Sequence, residues 1–252
     1  MHFAGIDIGS RSIELVVLKG SEVVDFLQAD TGFDPILHAG ELLEQVKYDR
    51  ITATGYGRHL FELSFDTPTV TEIKAYAVGA RALFPDTRTI LDIGGQDSKA
   101  IALNDAGRVV KFEMNDRCAA GTGKFLEIMA QTLGYRLDQF GTEALRSTGD
   151  IRINSMCTVF AESEATSLLA KGESRQDIAL GLHHSVVRRA AGMLKRVSVK
   201  KPILFAGGVA LNPCMRNLLE SMLDTNILIP ESPQMVGALG AALLTSKNHS
   251  HS

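Results

Sequence analysis

Cys118 and Cys157 stand in two segments of small residues, Asn115-Asp116-Arg117-Cys118-Ala119-Ala120-Gly121-Thr122-Gly123 and Ser155-Met156-Cys157-Thr158-Val159-Phe160-Ala161-Glu162-Ser163. Each reads as the start of a helix. Thiols so placed can do redox chemistry, or they can pack as small hydrophobes. Zinc fits poorly, because neither cysteine has a CxxC or histidine partner at finger spacing. The third cysteine, Cys214 in Asn212-Pro213-Cys214-Met215, reads as a packing or exposed thiol.

A second chemistry lies in Asp7-Ile8-Gly9-Ser10-Arg11-Ser12 and Asp92-Ile93-Gly94-Gly95-Gln96-Asp97-Ser98-Lys99. A glycine at a strand-to-strand turn lets backbone N–H groups approach a phosphate closely. The hydroxyls of Ser10 and Ser12 add donors. A carboxylate at the strand edge suits Mg²⁺, which takes oxygen ligands and keeps waters. Either loop alone is an ordinary hairpin turn. Two facing loops can clamp phosphates with Mg²⁺ between Asp7 and Asp92, and Gln96 or Asp97 can orient a water toward the γ-phosphate. In Ala206-Gly207-Gly208-Val209-Ala210-Leu211-Asn212 the side-chain-free glycines allow a flat base or ribose to press on the backbone, while Asn212 reads as a helix cap.

These residues need rigid elements behind them. Phe3–Ile8, Ile13–Leu18 and Glu22–Ala29 read as three strands, a hairpin start rather than a βαβ start. A helix over Pro35–Val46, a strand over Arg50–Gly55 and a helix over Thr71–Phe84 follow. Pro85-Asp86 breaks the chain and marks a domain change. Thr89–Leu103 then mirrors the opening, about 85 positions on, with a third strand at Gly107–Met114; this suggests a duplicated α/β domain. Helices are expected at Gly121–Leu133, Thr158–Ala170, Asp177–Val197, Asn212–Leu223 and Gln234–Thr245, a buried strand at Pro202–Ala206 and a short strand at Asn226–Ile229.

Composition narrows the classes. The 252 residues carry a net charge of −3 and are 45% hydrophobic, which fits one large domain or two smaller ones and gives no general pull toward nucleic acid or acidic membranes. Aromatics are 6% with no tryptophan, a poor stacking surface for single strands. No apolar run of about 18 residues is present, so no bilayer span is expected, and Met1–Gly5 leads straight into Asp7, so no secretory signal is expected either. Three cysteines argue against a disulfide framework and for a reducing, cytoplasmic setting. The tail Lys247–Ser252, with His249 and His251, reads as a frayed, solvated end.

The order of segments resembles the actin, sugar-kinase and heat-shock ATPase superfold, with its phosphate-1, phosphate-2 and adenosine loops at Asp7–Ser12, Asp92–Lys99 and Ala206–Ala210. The cysteine segments, from Asn115 to Phe125 and from Cys157 to Glu164, resemble one subfamily, the activators of 2-hydroxyacyl-CoA dehydratases together with the ATPase subunits of benzoyl-CoA reductase. The resemblance spans Gly5 to about Leu244. It implies duplicated ribonuclease-H-like (actin-like) α/β domains, with mixed sheets flanked by helices and the nucleotide in the interdomain cleft. Residues 1–85 with the C-terminal helix 234–247 would form one lobe, and 86–233 the other. ATP or ADP would lie against Gly9, Ser10, Arg11, Ser12, Ile13, Glu14, Gly94, Gly95, Gln96, Gly121, Gly123, Gly207, Gly208, Val209, Gln234 and Gly237.

The resemblance further implies a homodimer holding one [4Fe–4S] cluster on Cys118 and Cys157 of both protomers. The residue count agrees, since such a cluster usually takes four thiolates and two per chain need a two-fold axis. Helices starting at both cysteines would aim positive ends at the anionic cluster. A reduced ferredoxin or flavodoxin would charge it, and an iron–sulfur dehydratase or reductase would receive the electron. Rival readings are a small-molecule kinase and a nucleotide sensor of the same superfold, neither of which needs the cysteines. The subfamily's Thr54-Gly55-Tyr56-Gly57-Arg58 run is present. One departure stands out: where the subfamily often has a lysine four positions after the phosphate-1 serine, this chain has Glu14, and Arg11 carries positive charge elsewhere on the turn. The remaining candidates are weaker. Glu162 and Glu164 read as charges matched to a helix start, His183-His184 as surface or partly buried, and Arg188-Arg189 with Lys195-Arg196 as a solvated helix face or docking patch.

Overall fold

The computed structural model describes residues 1–155 and 157–249; Met156, Ser250, His251 and Ser252 lie outside the described residues, and with them the expectation for the last part of the tail. The opening forms a meander of β1 (His2–Ile8), β2 (Ser12–Lys19) and β3 (Glu22–Asp30). After α1 (Pro35–Leu43), β4 (Arg50–Thr54) joins parallel to β1, giving the order β3-β2-β1-β4. The helices α2 (Arg58–Phe65) and α3 (Glu72–Leu83) lead to a second meander, β5 (Thr89–Ile93), β6 (Ser98–Leu103) and β7 (Val109–Asn115). Four helices follow: α4 (Gly123–Thr132), α5 (Leu137–Ala144), α6 (Thr158–Ala170) and α7 (Arg175–Val197). Then come β8 (Ile203–Ala206), α8 (Pro213–Leu223), β9 (Ile227–Leu228) and α9 (Val236–His249). β8 runs parallel to β5, so the second sheet has the order β7-β6-β5-β8-β9.

The duplication is visible in register. Asp7 pairs with Glu14 across β1 and β2, and Asp92 pairs with Lys99 across β5 and β6. Register shifts at Val17/Leu18 and at Ala102/Leu103 fall at matching places. The central strands β1, β2, β5 and β6 are buried along nearly their whole length, as strands covered on both faces are. In the first sheet α1 and α2 contribute Leu42, Leu43 and Phe61 to one face, and α9 covers Val16 and Leu18 on the other. In the second sheet α4, α5, α7 and α8 build the largest core around Phe125, Phe140 and Phe205.

Two helices tie the sheets together. α3 lays Tyr76, Ala77 and Ala80 on Ile90, Ile101 and Leu204 of the second sheet, and it also packs closely on α9. That contact is backbone on backbone: a Cβ at Gly79 would overlap Val236 O, and one at Gly240 would overlap Ala75 O. The Gly- and Ala-rich sequence of α9 is thus what lets it serve both α3 and β1. α9 also extends beyond the expected Thr245 to His249, whose ring lies 5.8 Å from that of Phe3. Of the tail expected to fray, Lys247–His249 continue the helix.

Candidate nucleotide cleft and cysteine loops

Asp7 and Asp92 are each the last residue but one of their strands. Both strands end in the same turn, in which Gly9 N–H donates to Ser12 O and Gly94 N–H to Asp97 O, each at 3.0 Å. Thr31 fixes the first turn, its hydroxyl donating to Gly9 O at 2.8 Å. The two turns meet: a Cβ on Gly95 would stand 2.7 Å from Arg11 Cβ and 3.3 Å from Ser10 Oγ. The start of α4 caps the second turn, with Gly123 N–H donating to Gly94 O at 2.9 Å and Lys124 N–H to Gly95 O at 2.7 Å.

The base-side loop joins the same place. Gly207 has a φ of +82°, and a Cβ there would stand 2.6 Å from Asp92 Oδ1, so only glycine fits. Its N–H donates to Pro233 O at 3.0 Å, in the 3₁₀ turn Pro233–Met235 that contains Gln234. Two residues on, the Cα of Gly237 faces the Asp7 carboxylate, where a Cβ would overlap Oδ2. Val209 Cγ2 would stand 3.3 Å from a Cβ on Gly123, and Gly208 faces open space. Gln96 is exposed at the loop tip, whereas the Ile13 side chain is buried in the first core and can offer only its backbone. Gly121 departs from the expected set: at φ +92° it packs on Arg189, 3.1 Å from a would-be Cβ to Cδ, and takes no part in the phosphate turns.

Charge concentrates under these loops. Lys99 Nζ lies 2.6 Å from Asp97 Oδ2, 3.0 Å from Glu72 Oε1 and 3.1 Å from Asp92 Oδ2, with the Tyr76 ring 5.5 Å away. Burial opposes this ammonium, but the three carboxylates outweigh it and raise its pKa. Burial, helped by Glu72 and Glu14, raises the Asp7 carboxyl. Burial lifts Asp92 to about 6 against the pull of Lys99. Glu14 is buried too; it accepts from Ser12 Oγ at 2.5 Å and Gln28 Nε2 at 2.9 Å, and burial outweighs these bonds to set its pKa at about 7. Asp92 Oδ1 is buried with no hydrogen-bond partner. An excess of carboxylates with one open acceptor is an environment that a divalent cation suits. Nothing local in the sequence marks Glu72 or Tyr76 as part of this site. Lys99 is legible only as the counterpart of Glu14 in the repeated hairpin.

The cysteines sit apart from this cleft, and both are exposed. Cys157 is the N-cap of α6. Cys118 does not begin a helix: Thr122 N–H and Oγ1 both turn back to Ala119 O, Gly121 takes a positive φ, and α4 starts only at Gly123. The expected picture of a helix end at each thiol therefore holds for Cys157 alone. Asn115 at the end of β7 donates to Cys118 O and Ala120 O at 2.9 and 3.2 Å. Glu164 accepts from Asn154 N and Ser155 N at 3.1 and 2.9 Å, so it pins the Cys157 loop. Cys214 is buried in α8, and burial pushes its thiol up to about 12, as a packing residue requires. His183, expected at the surface or partly buried, is fully buried between Ala179 O at 2.7 Å and Asn212 Nδ2 at 3.0 Å; Asn212 caps α8 as expected. In the Thr54–Arg58 run, Gly55 abuts Asp7 while Tyr56 is 84% exposed.

Two mirrored hairpin loops, each beside a buried acid and joined by a glycine turn, make this an actin-like ATPase fold. A ROK-family glucokinase from Streptomyces griseus, solved with glucose and AMPPNP, shares the fold alone, with a TM-score of 0.61 at 13% identity over 98% of this chain and 100% of that one. Within that class the chain belongs to the BadF/BadG/BcrA/BcrD ATPase family, whose model matches residues 4–245. It is similar to the activator of lactoyl-CoA dehydratase from Anaerotignum propionicum, 42% identical over 96% of each chain. It also superposes on the activator of the 2-hydroxyisocaproyl-CoA dehydratase from Clostridium difficile with bound ADPNP. That TM-score is 0.91 at 36% identity, over 100% of this chain and 96% of that one. Among the described residues no helix is long and apolar enough to cross a membrane.

Proposed function

We propose that this chain is an ATP-dependent reductive activator, a cytoplasmic homodimer that donates one electron to an iron–sulfur dehydratase or reductase acting on a CoA thioester. The observation that carries the reading is a pair of exposed cysteines on loops that border one cavity, in an ATPase whose similar proteins include dehydratase activators. Cys118 and Cys157, with the same pair from a second copy, would hold one [4Fe–4S] cluster, which supplies a single electron when bound. Asn115 and Glu164 hold the two loops that present the thiols. The first turn of α6 lies beside Cys157 with N–H groups that favour an anion. Val159 and Phe160 follow at 65% and 66% exposure, apolar surface that a second copy would cover.

In the cleft, Asp7 and Asp92 are the residues to hold Mg²⁺, and the unpartnered Asp92 Oδ1 supports that fit. The turn amides of Gly9–Ser12 and Gly94–Gly95 would take the phosphates, Gln96 would orient the attacking water, and Gly207–Val209 with Gln234 would take the base and ribose. Residues 1–85 with 234–247 would act as one lobe and 86–233 as the other, with α3 and α9 carrying nucleotide-dependent closure toward the cysteine loops. A reduced ferredoxin or flavodoxin is the matching electron source. The test is anaerobic purification with iron analysis. The expected result is a brown dimer with about four irons per two chains, and a Cys118→Ser variant that loses the iron yet still binds ATP. A colourless protein that phosphorylates a sugar would sink the reading.

A further inference from the structure

The cavity behind the cysteine loops has a composition of its own. β6 turns Lys99 toward α3 and the nucleotide cleft, and Ser98 to the opposite face, where its hydroxyl meets Met193 Sδ of α7 at 3.7 Å. On that opposite face a cavity of about 760 Å³ opens, within the range of small-molecule pockets. Phe125 and Met193 give it an apolar floor. Its walls carry four arginines, Arg152 from the Cys157 loop and Arg188, Arg189 and Arg196 from α7, and among the described residues none that lines it is acidic. Arg188, Gly192 and Arg196 recur every four residues and so share one helix face; the glycine between the two arginines leaves the space open.

The arginines are positioned. Arg188 Nη2 donates to Ile153 O at 2.9 Å, and Arg189 packs on Gly121. Among the described residues Arg196 pairs with Glu113 at 3.5 Å and Arg152 with Asp150 at 3.6 Å, both looser than a close ion pair. A guanidinium has five N–H donors, so one bond on Arg188 and one long pair on Arg196 leave donors over. Arginine forks match phosphate oxygens bidentately, and an apolar floor suits the organic part of a phosphorylated molecule.

We propose that this cavity is a second anion site, separate from the nucleotide cleft, for a phosphate-bearing small molecule. Arg188 holds the Cys157 loop and Arg189 the Cys118 loop, so a ligand engaging both fixes the two loops relative to each other. The site does not depend on what the cysteines bind. Calorimetric titration of the full chain, with the cleft saturated by ADP and Mg²⁺, tests it with inorganic pyrophosphate, coenzyme A and pantetheine as probes. Pyrophosphate and coenzyme A are expected to bind and pantetheine is not. Coenzyme A binding more tightly than pyrophosphate supports an organic ligand; equal affinities support a simple phosphate site. Arg196→Ala and Arg152→Ala should each weaken binding about tenfold while ADP affinity stays the same, which also shows that the variants are folded. No binding once ADP fills the cleft, or binding indifferent to both arginine variants, overturns the proposal.

Discussion

At the scale of single residues, the cleft is governed by too many buried carboxylates for its cations. Lys99 answers three of them, and Glu14, at the matching place in the other hairpin, answers none. Glu14 instead adds a further acid beside Asp7, kept partly neutral by burial. A carboxyl whose folded pKa of about 7 lies above its ordinary 4.5 costs nothing below the ordinary value. Its cost grows as pH rises from about 4.5 to about 7 and is constant above that. Glu14→Gln keeps an acceptor for Ser12 and Gln28 and removes that cost. We therefore expect the variant to match the parent at pH 4.5 and to exceed it at pH 8 by on the order of 1–3 kcal/mol, read from denaturant melts without nucleotide; Asp7, whose carboxyl Glu14 helps to raise, is relieved in the variant and moves the gap in the same direction. An equal gap at both pH values would remove the buried-acid account. The acids Asp7 and Asp92 were legible in sequence because each sits beside a turn glycine in a repeated unit. Lys99 was not, since its role depends on Glu72, a residue of α3 that reaches the site only through the packing of that helix.

At the scale of elements, what could be read was what has a strong local signal: both meanders, α6, α7 and the cap at Asn212. α2 and α5 escaped because each is eight residues long, too short for periodicity to stand out, and α2 buries only Phe61. The helix assigned to Cys118 was misplaced because Gly121 takes a positive φ that a residue list does not display. The glycines and alanines of α9 allow its close packing on α3, and that packing makes a sharp test. A methyl group at position 240 meets the Ala75 carbonyl of α3, whereas one at Gly208 meets nothing within 4 Å. Gly240→Ala should lower stability by about 1–3 kcal/mol and loosen nucleotide binding through α3. Gly208→Ala should leave the melting temperature in place and weaken only nucleotide affinity. Thermal melts with and without ADP separate the two, and equal stability losses would contradict the packing described.

At the scale of the whole molecule, the decisive question is whether one chain is complete. α6 buries only Ala161 and Ala165 of its thirteen residues, and its first turn sets Val159 and Phe160 in solvent directly after Cys157. Single exposed apolar residues are common, but two adjoining a thiol on a thinly packed helix form a face suited to a partner. If the second copy covers this face, its cysteines complete the ligand set, and cluster and dimer become one equilibrium: binding that needs two chains stabilises the association of both. Substitutions that leave every cysteine intact must then still remove the iron. Phe160→Asp and Val159→Asp place a charge in the face and fall outside the nucleotide loops Asp7–Ser12, Asp92–Lys99 and Ala206–Ala210. Under anaerobic conditions each should run as a monomer by light scattering, carry little iron, and bind ADP as the parent does. Retention of full iron by a monomeric variant would place the ligands within one chain, and a dimer unaffected by both variants would place the interface elsewhere.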